Sequence, residues 1–375
     1  MVKRQTTIFF SIGAGLALAT VLTIFVARGY KINLSQKKVQ KTGMLLVESV
    51  PDEAKIFLDG ELIEATAATI PLPPRDYHLK IEKEGFSAWE KDVPVLPELV
   101  TEVSALLIPK SPQLTPLTHT GISLMVPSPS NRRIAYTTRG GVSPGLWILN
   151  LSPPPILGLV QENPRPIAED TEKYAFSLAE NLHWPPKEDA LLVTLNKRGY
   201  ILLKLGNGAT PQTTSSAQPI LTTWDEELLD QKAKWARSIT LPEELKETAL
   251  LPTTLWSPDR KRFLYTTTSG DYEEYRVYNG RTPIGTGKQA QYTSLRVKAD
   301  SEVVVSWHAT SDHLIIQEQG TISLIEIDGK NKKEVYSGKT ALPYVAPTPD
   351  GKNLIILASF KQAGAPELYA ISLQQ

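Results

Sequence analysis

Residues Leu255–Thr268 read L-W-S-P-D-R-K-R-F-L-Y-T-T-T, and this stretch decides how the C-terminal two-thirds of the chain folds. Ser257–Arg260 has the composition of a tight turn, because proline presets φ at the second turn position. The residues that follow, Phe263–Thr267, are mostly aromatic or β-branched and favour a strand. The stretch therefore predicts a β-hairpin with Trp256 at its hinge.

Four looser copies of this unit occur elsewhere, each with a turn directly before an apolar strand. The turns and the strands that follow them are 126–130 with 134–138, 183–187 with 190–194, 306–310 with 314–316, and 346–352 with 354–357. Candidate third strands follow at 146–151, 200–205, 322–327 and 367–373. Self-similarity at roughly 40–50 residues, with several strands in each copy, predicts a β-propeller of about five or six blades.

The repeated unit resembles the WD40-like or TolB-type propeller repeat, in which W-S-P-D-G-K closes the first hairpin of a blade. Trp256–Asp259 and Pro349–Lys352 match this pattern well, and Gly351 can take a positive φ after its turn. The other three copies are degenerate. The resemblance implies that residues 109–375 form a propeller, in which hairpins that cannot bury an apolar face alone stack around an axis.

One segment interrupts the β pattern. Thr223–Glu226 (T-W-D-E) fits a capping box and predicts that a helix begins there, and Pro242 lies where the first turn of a second helix is expected. We interpret residues 224–251 as a helical insertion between blades that packs onto the propeller through Trp224 and Trp235. A lid or a docking face is the alternative interpretation.

Composition excludes several classes of function. Acidic and basic residues balance at 40 each, so no general attraction to nucleic acid is expected. The chain has no cysteine, which excludes a disulfide scaffold, a thiolate metal site and a cysteine nucleophile. Its 29 prolines fit many short strands joined by turns.

The N-terminus predicts a membrane anchor. Ile8–Ala27 carries no charge, and a helix of that length spans about 30 Å, the thickness of the hydrocarbon layer. A cleaved signal peptide is the alternative, but its apolar core is usually shorter. We predict an anchor at residues 1–30 with a transmembrane helix at 8–27, followed by a polar linker at 31–42.

Positive charges flank both ends of this segment and leave two orientations open. They are Lys3 and Arg4 before it, and Arg28, Lys31, Lys37, Lys38 and Lys41 after it. A count over short loops places the C-terminal side in the cytoplasm, whereas long folded domains translocate largely regardless of charge. We predict a single-pass cell-membrane protein with a cytoplasmic N-terminus and most of the chain outside.

Residues 43–108 predict a small antiparallel β-sandwich, because alternating segments are separated by turns at short intervals. This stretch resembles the PEGA domain. The resemblance is carried by Ser49, Pro51 and Ala54, by I-x-L-D-G at 56–60, by L-P-P at 72–74, by Y-x-L-x-I-x-K-x-G-F at 77–86, and by Trp89.

The sequence departs from the PEGA pattern in two places, both of which we expect in connections. The usual Thr-Pro is missing at Ala65–Thr69, and Arg75-Asp76 replaces the usual glycine. The resemblance implies an extracytoplasmic β module of bacterial surface proteins that acts as a spacer or an interaction module. That implication agrees with the predicted orientation.

No constellation of residues predicts a metal or a cofactor. The five histidines do not occur at metal-site spacing, and we interpret them as turn or surface residues: His78, His119, His183, His308 and His313. Gly285–Lys288 (G-T-G-K) has the look of a phosphate loop but lacks its four-residue spacer, so we interpret it as a flexible turn.

Two acidic clusters could supply paired carboxylates for glycoside hydrolysis. They are Asp225, Glu226 and Glu227, and Asp271, Glu273 and Glu274. Solvated charge on a helix and a loop is the interpretation we prefer for both. No serine lies in a nucleophile elbow.

The sequence thus predicts an all-β, membrane-anchored bacterial envelope protein that acts as a binding or scaffolding module. Its expected partner is an envelope protein or a cell-wall glycan, without catalysis, cofactor or nucleic acid. The alternatives are a glycan-active enzyme built in the propeller and a purely structural stalk. The sequence names no residue of the binding face.

Overall fold

The computed structural model describes residues 13–20, 23, 30–33, 38–141, 143–152, 164–195, 199–206, 210–281, 291–338, 340–341, 344–360 and 364–374. The chain divides into two compact units, which meet in sequence between Leu107 and Ile108. Each unit has its own hydrophobic clusters.

Of the predicted transmembrane helix at 8–27, only residues 13–20 and 23 are described, and these are helical and exposed. The rest of that segment lies outside the described residues. Among the described helices, none combines the length and the apolar character that a bilayer span requires. Within the segment interpreted as a linker, β1 (Tyr30–Asn33) pairs antiparallel with β2 (Lys38–Lys41).

The first unit contains two β-sheets packed around one core. Its strands are β3 (Gly43–Val50), β4 (Lys55–Leu58), β5 (Glu61–Ala65), β6 (Ala68–Leu72), β7 (Arg75–Glu82), β8 (Trp89–Val95) and β9 (Val100–Leu106). They form a sheet in the order β6-β3-β9 and a sheet in the order β5-β4-β7-β8. Apolar residues at alternate positions, such as Leu45, Ile56 and Leu79, are fully buried between the sheets.

The prediction of a purely antiparallel sandwich is wrong for one pair of strands. β3 and β9 run parallel, in a register that joins Met44 to Val100 and Val50 to Leu106. These strands are far enough apart in sequence for the crossover that a parallel pair needs. The expectation that both departures lie in connections is also wrong, because Ala65 ends β5, Ala68 begins β6 and Arg75 begins β7.

The second unit consists mainly of short strands. They are β10 (Leu114–Pro116), β11 (Leu124–Pro127), β12 (Arg133–Thr138), β13 (Gly145–Asn150), β14 (Arg165–Glu169), β15 (Ala179–His183), β16 (Ala190–Leu195), β17 (Gly199–Lys204), β18 (Thr210–Thr214), β19 (Leu255–Trp256), β20 (Arg262–Ser269), β21 (Tyr272–Asn279), β22 (Gln291–Lys298), β23 (Val303–Trp307), β24 (His313–Glu318), β25 (Thr321–Glu326), β26 (Lys333–Ser337), β27 (Val345–Pro347), β28 (Asn353–Ala358) and β29 (Glu367–Ser372).

The described part of this unit contains five four-stranded antiparallel sheets. Sheets one to four are β11 to β14, β15 to β18, β19 to β22, and β23 to β26, each paired in sequence order. The fifth has the order β10-β29-β28-β27, so the first strand of the unit is the outermost strand of its last sheet. Residues 114–116, which precede the first repeat, thus supply a strand that joins the two ends of the unit.

Neighbouring sheets pack through opposite faces of the same strands. On β12, Ala135 belongs to a cluster shared with the second sheet, whereas Ile134 belongs to a cluster shared with the fifth. Successive residues of a strand point to opposite faces, so each sheet can bury both of its faces against its neighbours. Sheets that pack face to face in succession, and a fifth sheet built from both ends of the unit, form the propeller-type architecture that the repeats predicted.

The third sheet is covered differently on one face. Leu264 packs toward the fourth sheet, but Phe263 and Tyr265 pack against helical segments. These segments are α1 (Gln218–Arg237) and the 3-10 turns η2 (Glu243–Leu245) and η3 (Thr248–Leu250); a further one, η1 (Phe176–Leu178), precedes β15. The insertion therefore covers an apolar sheet face, as the sequence predicted for Trp235, which lies 5.7 Å from Trp256 between ring centroids.

The predicted start of the helix is wrong. α1 begins at Gln218, with Pro219 in its first turn. The Thr223 hydroxyl donates to the Pro219 carbonyl at 3.0 Å from inside the helix, so T-W-D-E is not a capping box. The second helix expected at Pro242 is replaced by the short turns η2 and η3.

Candidate functional site

The turns that connect the first two strands of the five sheets have one backbone conformation in common. The hinge position of each copy is the one that corresponds to Trp256. The fourth residue after it has a left-handed backbone in every copy: φ is 55° at Asn131, 57° at Glu188, 60° at Arg260, 63° at Ser311 and 70° at Gly351. Only one of these residues is glycine, for which the left-handed region costs least. The pattern was visible in the sequence only at Gly351.

Hydrogen bonds link the turn of one sheet to the turn of the next. An Arg133 guanidinium nitrogen donates to the Glu188 carbonyl at 2.5 Å, and the Ser130 amide donates to the Glu188 carboxylate at 2.5 Å. The contacts place the left-handed residue of the second turn against the first.

The same arrangement recurs between the third and fourth sheets. Arg262 Nη1 donates to the Ser311 carbonyl at 2.9 Å, and the Asp259 amide donates to Ser311 Oγ at 3.0 Å. Between the fourth and fifth sheets, His308 Nε2 donates to the Gly351 carbonyl at 3.1 Å. In all three junctions the carbonyl of the left-handed residue is the acceptor, so these bonds hold the first turn to the second, and the third, fourth and fifth turns to one another.

These turns surround a cavity of about 520 Å³. We call it the turn cavity. It is lined by the residue two positions after the hinge in each turn, together with neighbouring residues: Pro129, Pro186, Pro258, Ala309 and Pro349. Three tryptophans also line it, Trp235, Trp256 and Trp307. A volume of this size falls within the range of ligand sites.

One wall of the turn cavity is a face of α1. Leu228, Gln231, Lys232 and Trp235 line it, with the i, i+3, i+4 and i+7 spacing of one helix face. Lys232 is buried and its ammonium donates to three carbonyls, those of Leu251 at 2.5 Å, Thr254 at 3.1 Å and Pro252 at 3.3 Å. Burial lowers the pKa of Lys232 below its usual range.

The guanidinium of Arg260 lies over the Trp235 ring, 4.4 Å from its centroid. This cation–π contact holds a positive charge at the cavity wall. Burial lowers the pKa of Arg260, although guanidinium stays protonated in proteins. The structure therefore offers a recess with aromatic, proline and arginine surfaces.

In the first unit, the residues that resemble the PEGA motif meet at one buried turn. Ser49 Oγ and Thr66 Oγ1 are 2.6 Å apart, and the Ala54 amide donates to Thr66 Oγ1 at 3.0 Å. Ser49 Oγ also lies 2.5 Å from the Pro51 carbonyl. Thr66, from the segment where the sequence departs from the pattern, thus completes the hydrogen bonds of the turn.

Residues 42–111 match the PEGA domain family. The match covers the strands β3 to β9 of the first unit and ends shortly after them, and the rest of the chain lies outside it. The comparison with curated proteins finds no similar one.

Comparison with solved structures finds propellers for the larger part of the chain. TolB from Acinetobacter baumannii is 13% identical over 80% of this chain and 60% of that one, with a TM-score of 0.26. Putative TolB from Agrobacterium tumefaciens is 13% identical over 70% and 92%, with a TM-score of 0.24. The Cps50 (Swd1) β-propeller domain from Myceliophteria thermophila is 8% identical over 70% and 100%, with a TM-score of 0.32. The structural overlap with each of these proteins is low. The strand pairing and sheet packing of this chain define its propeller-type architecture.

The histidines lie apart, except for one pair in the propeller. His308 and His313 have ring centroids 6.1 Å apart, and each approaches the Thr310 hydroxyl, at 3.0 and 3.2 Å. In the PEGA domain, His78 Nδ1 lies 2.8 Å from Asp92 Oδ1. In the described ranges no three His, Cys, Asp or Glu side chains form a group that could hold a metal ion.

In the cluster of Asp271, Glu273 and Glu274, the two glutamates do not form a pair of carboxylates. Glu273 and Glu274 are successive residues of β21, so their side chains point to opposite faces of the sheet. Glu273 accepts from the Tyr275 hydroxyl at 3.2 Å, and burial together with this carboxylate raises the pKa of Tyr275 to about 12. Glu274 lies 3.7 Å from the Arg296 guanidinium.

Two further candidates from the sequence are the acidic cluster on α1 and the G-T-G-K segment. Glu227 accepts from the Lys187 ammonium at 2.7 Å, whereas Asp225 and Glu226 are exposed. This places Glu227 in an ion pair between the helix and the turn of the second sheet. Gly285–Lys288 lies outside the described residues.

Proposed function

We propose that this chain is a membrane-anchored, non-catalytic recognition protein of the bacterial envelope that binds a protein partner in the turn cavity. The observation that carries the proposal is the convergence of all five turns on one recess in which half of the lining residues are proline, tryptophan or arginine. Tryptophan and arginine dominate the energetics of protein interfaces, because they bury large areas and keep a polar contact.

The framework behind the cavity supports this role. The bonded turns hold the wall residues on short connections between buried strands, so little conformational entropy is lost when a ligand is ordered there. Binding residues on loops positioned by a rigid scaffold are the common arrangement in β-propellers and sandwiches. The PEGA domain and the predicted anchor at 8–27 act in this proposal as the spacer and the attachment to the membrane.

Site-directed photo-cross-linking in the producing cell tests the binding face. With p-benzoylphenylalanine in place of Ala309, in the cavity wall, we expect a discrete adduct that contains a second polypeptide. The matched control replaces Ala65, an exposed residue of the PEGA domain, and should give no such adduct. Absence of an adduct from Ala309, or the same adduct from both positions, would contradict the proposal. An adduct with glycan alone would replace the protein partner by a cell-wall one.

The proposed orientation has a separate test. A tag is placed after Gln375 and intact cells are treated with an external protease, before and after any outer membrane is opened. We expect the tag to be removed once the protease has access to the outer face of the cell membrane. Protection until the cells are lysed would place the propeller in the cytoplasm and exclude an envelope role.

A further inference from the structure

The turn cavity has an excess of positive charge in a chain that is neutral as a whole. Its charged wall residues are Arg132, Lys232, Arg260 and Glu188, which is three positive charges against one negative charge, a local excess of two. The full chain has 40 basic and 40 acidic residues, so this excess is a property of the site. A recess lined by one sign of charge attracts ligands of the opposite sign.

Two of these four residues are already engaged by the protein. The Glu188 carboxylate accepts from the amide and the hydroxyl of Ser130, at 2.5 and 3.0 Å. The Lys232 ammonium donates to the three carbonyls of the loop after η3. Neither side chain is therefore free to recognise a ligand without losing internal contacts.

The two arginines remain available. Arg132 is exposed, and its side chain forms no hydrogen bond or ion pair with any other described residue. Among the described residues, the Arg260 guanidinium donates to the Ser257 carbonyl alone, at 3.2 Å, although the Asp259 and Glu188 carboxylates are near enough to interact with its charge, and it is held over the Trp235 ring. A guanidinium has five N–H donors, so most donors of both groups lack a partner among the described residues.

The remaining surface fits a peptide better than a sugar. Proline rings and the Trp235 ring present apolar faces. The hydroxyls of Ser130 and Thr348 already donate to carboxylates, at 3.0 and 2.6 Å, whereas the buried Ser306 hydroxyl has no partner among the described residues. A glycan would need many free polar side chains for its hydroxyl groups, because each buried hydroxyl without a partner costs free energy. An extended peptide of the polyproline II type keeps its backbone amides in water, so it needs mainly apolar contact and a few charged anchors from the protein.

We propose that the turn cavity binds an acidic peptide segment, with carboxylates paired to Arg132 and Arg260 and apolar side chains against Trp235 and the prolines. The pairing of guanidinium with carboxylate is geometrically specific because both groups are planar and can form two parallel bonds. This inference rests on the proposed function and adds the chemistry of the partner to it.

The test begins with selection from a random decapeptide library displayed on phage, with the full-length protein in detergent as bait. Enriched peptides are synthesised with a fluorescent label, each beside a version that has Asn and Gln in place of Asp and Glu. We expect the enriched peptides to be acidic, and their binding by fluorescence anisotropy to weaken at least about tenfold in the amide versions. Raising the salt concentration should weaken binding further.

Protein variants show whether the arginines carry this preference. Arg132→Gln and Arg260→Gln should each weaken binding of the acidic peptides by about tenfold and leave the amide versions unaffected. The matched control is Lys261→Gln, which removes an exposed positive charge next to Arg260 but outside the cavity wall. It should bind like the wild type. Arg132→Gln changes an exposed side chain, so its effect does not depend on folding.

Each other outcome overturns a defined part of the argument. Enriched peptides that are neutral, or acidic ones that Arg132→Gln and Arg260→Gln bind normally, would overturn the acidic partner. If an Ala309→Phe variant still abolishes their binding, the cavity remains the recognition site. If Lys261→Gln loses as much affinity for the acidic peptides as the two arginine variants, the preference for acidic peptides is a general electrostatic effect. That result would overturn the inference. If no peptide is enriched, or if Ala309→Phe binds every enriched peptide, the proposed function itself is overturned.

Discussion

The buried His308 makes the propeller sensitive to acid. Its ring is fully buried, Nε2 donates to the Gly351 carbonyl at 3.1 Å, and Nδ1 accepts from Thr310. Burial, with a smaller contribution from His313, lowers the pKa of His308 to about 4. The neutral ring thus joins the fourth and fifth sheets, and protonation would place an unpaired charge in the core.

We expect the propeller to lose stability as the pH falls from about 6.5 to about 4, because the unfolded chain takes up the proton first. The neutral His308 ring contributes about 3 kcal/mol to the free energy of unfolding. This contribution is fully present above the pKa that His308 has in the unfolded chain. Urea unfolding at pH 7, 5.5 and 4.5 measures it. His308→Gln keeps a donor but cannot be protonated, so its unfolding free energy should fall less over this range. Parallel curves for the two proteins would contradict the assignment.

Arg262 makes four side-chain hydrogen bonds at the junction of the third and fourth sheets. It is 3% exposed, and it donates to Asn279 at 3.0 Å, to Asp259 at 3.2 Å and to Asp312 at 2.6 Å, besides the Ser311 carbonyl. Arg262→Ala removes one donor from each of these acceptors and the cation that pairs with Asp312, and removing one partner of a buried ion pair costs about 3 kcal/mol.

Arg281→Ala is the matched control for this prediction. Arg281 also pairs with Asp259, at 3.0 Å, but its side chain is 52% exposed, so solvent screens the pair. Its loss should cost less than about 1 kcal/mol. Chemical denaturation of both variants decides the point, and equal destabilisation would show that the buried junction has no special role.

At the scale of elements, α1 depends on one buried ammonium. Lys232→Ala should destabilise the loop after η3, because three carbonyls lose their donor and an unsatisfied buried group costs about 1–3 kcal/mol. Hydrogen exchange should become faster in residues 218–237 and 248–254, ahead of the sheets. Lys234→Ala, an exposed change on the same helix, should leave the exchange pattern unchanged. Uniform acceleration over the whole unit would argue against a local role.

The first hairpin of every sheet could be predicted from sequence, because its signal is local. A turn residue that presets φ is followed directly in sequence by a strand rich in β-branched residues, as in Leu255–Thr268. All five predicted hairpins pair as expected. The outer strands could not be predicted in the same way. Arg165–Glu169 and Thr210–Thr214 contain proline and polar residues, and only their neighbour in the sheet makes them strands.

The candidate site was beyond prediction for a related reason. Arg133 and Glu188 are 55 residues apart, and nothing in either segment indicates that a guanidinium of one turn reaches a carbonyl of the next. The left-handed φ of Glu188, Arg260 and Ser311 is equally hidden, because these side chains usually avoid that region. The turn cavity arises only when five such turns face one another.

At the scale of the whole molecule, the propeller is closed by contacts between residues about 250 positions apart. Besides the β10–β29 pairing, the Glu367 carboxylate accepts from the Thr118 hydroxyl at 2.5 Å and from the Gly121 amide at 2.7 Å. The Leu368 amide in turn donates to Thr118 Oγ1 at 2.9 Å. Charge-assisted bonds of this kind are about twice as strong as neutral ones, so they hold the last sheet together.

Glu367→Ala should therefore open the ring at this point. Two donors lose a charged acceptor, which costs about 2 kcal/mol and lowers the midpoint of thermal unfolding by about 5 °C in a unit of this size. Hydrogen exchange should accelerate together in residues 114–118 and 367–372, although they lie at opposite ends of the unit. Glu334→Ala, an exposed glutamate on β26, is the matched control and should change neither quantity. Acceleration at only one of the two segments would contradict a closure that depends on both, because strands that pair must separate together.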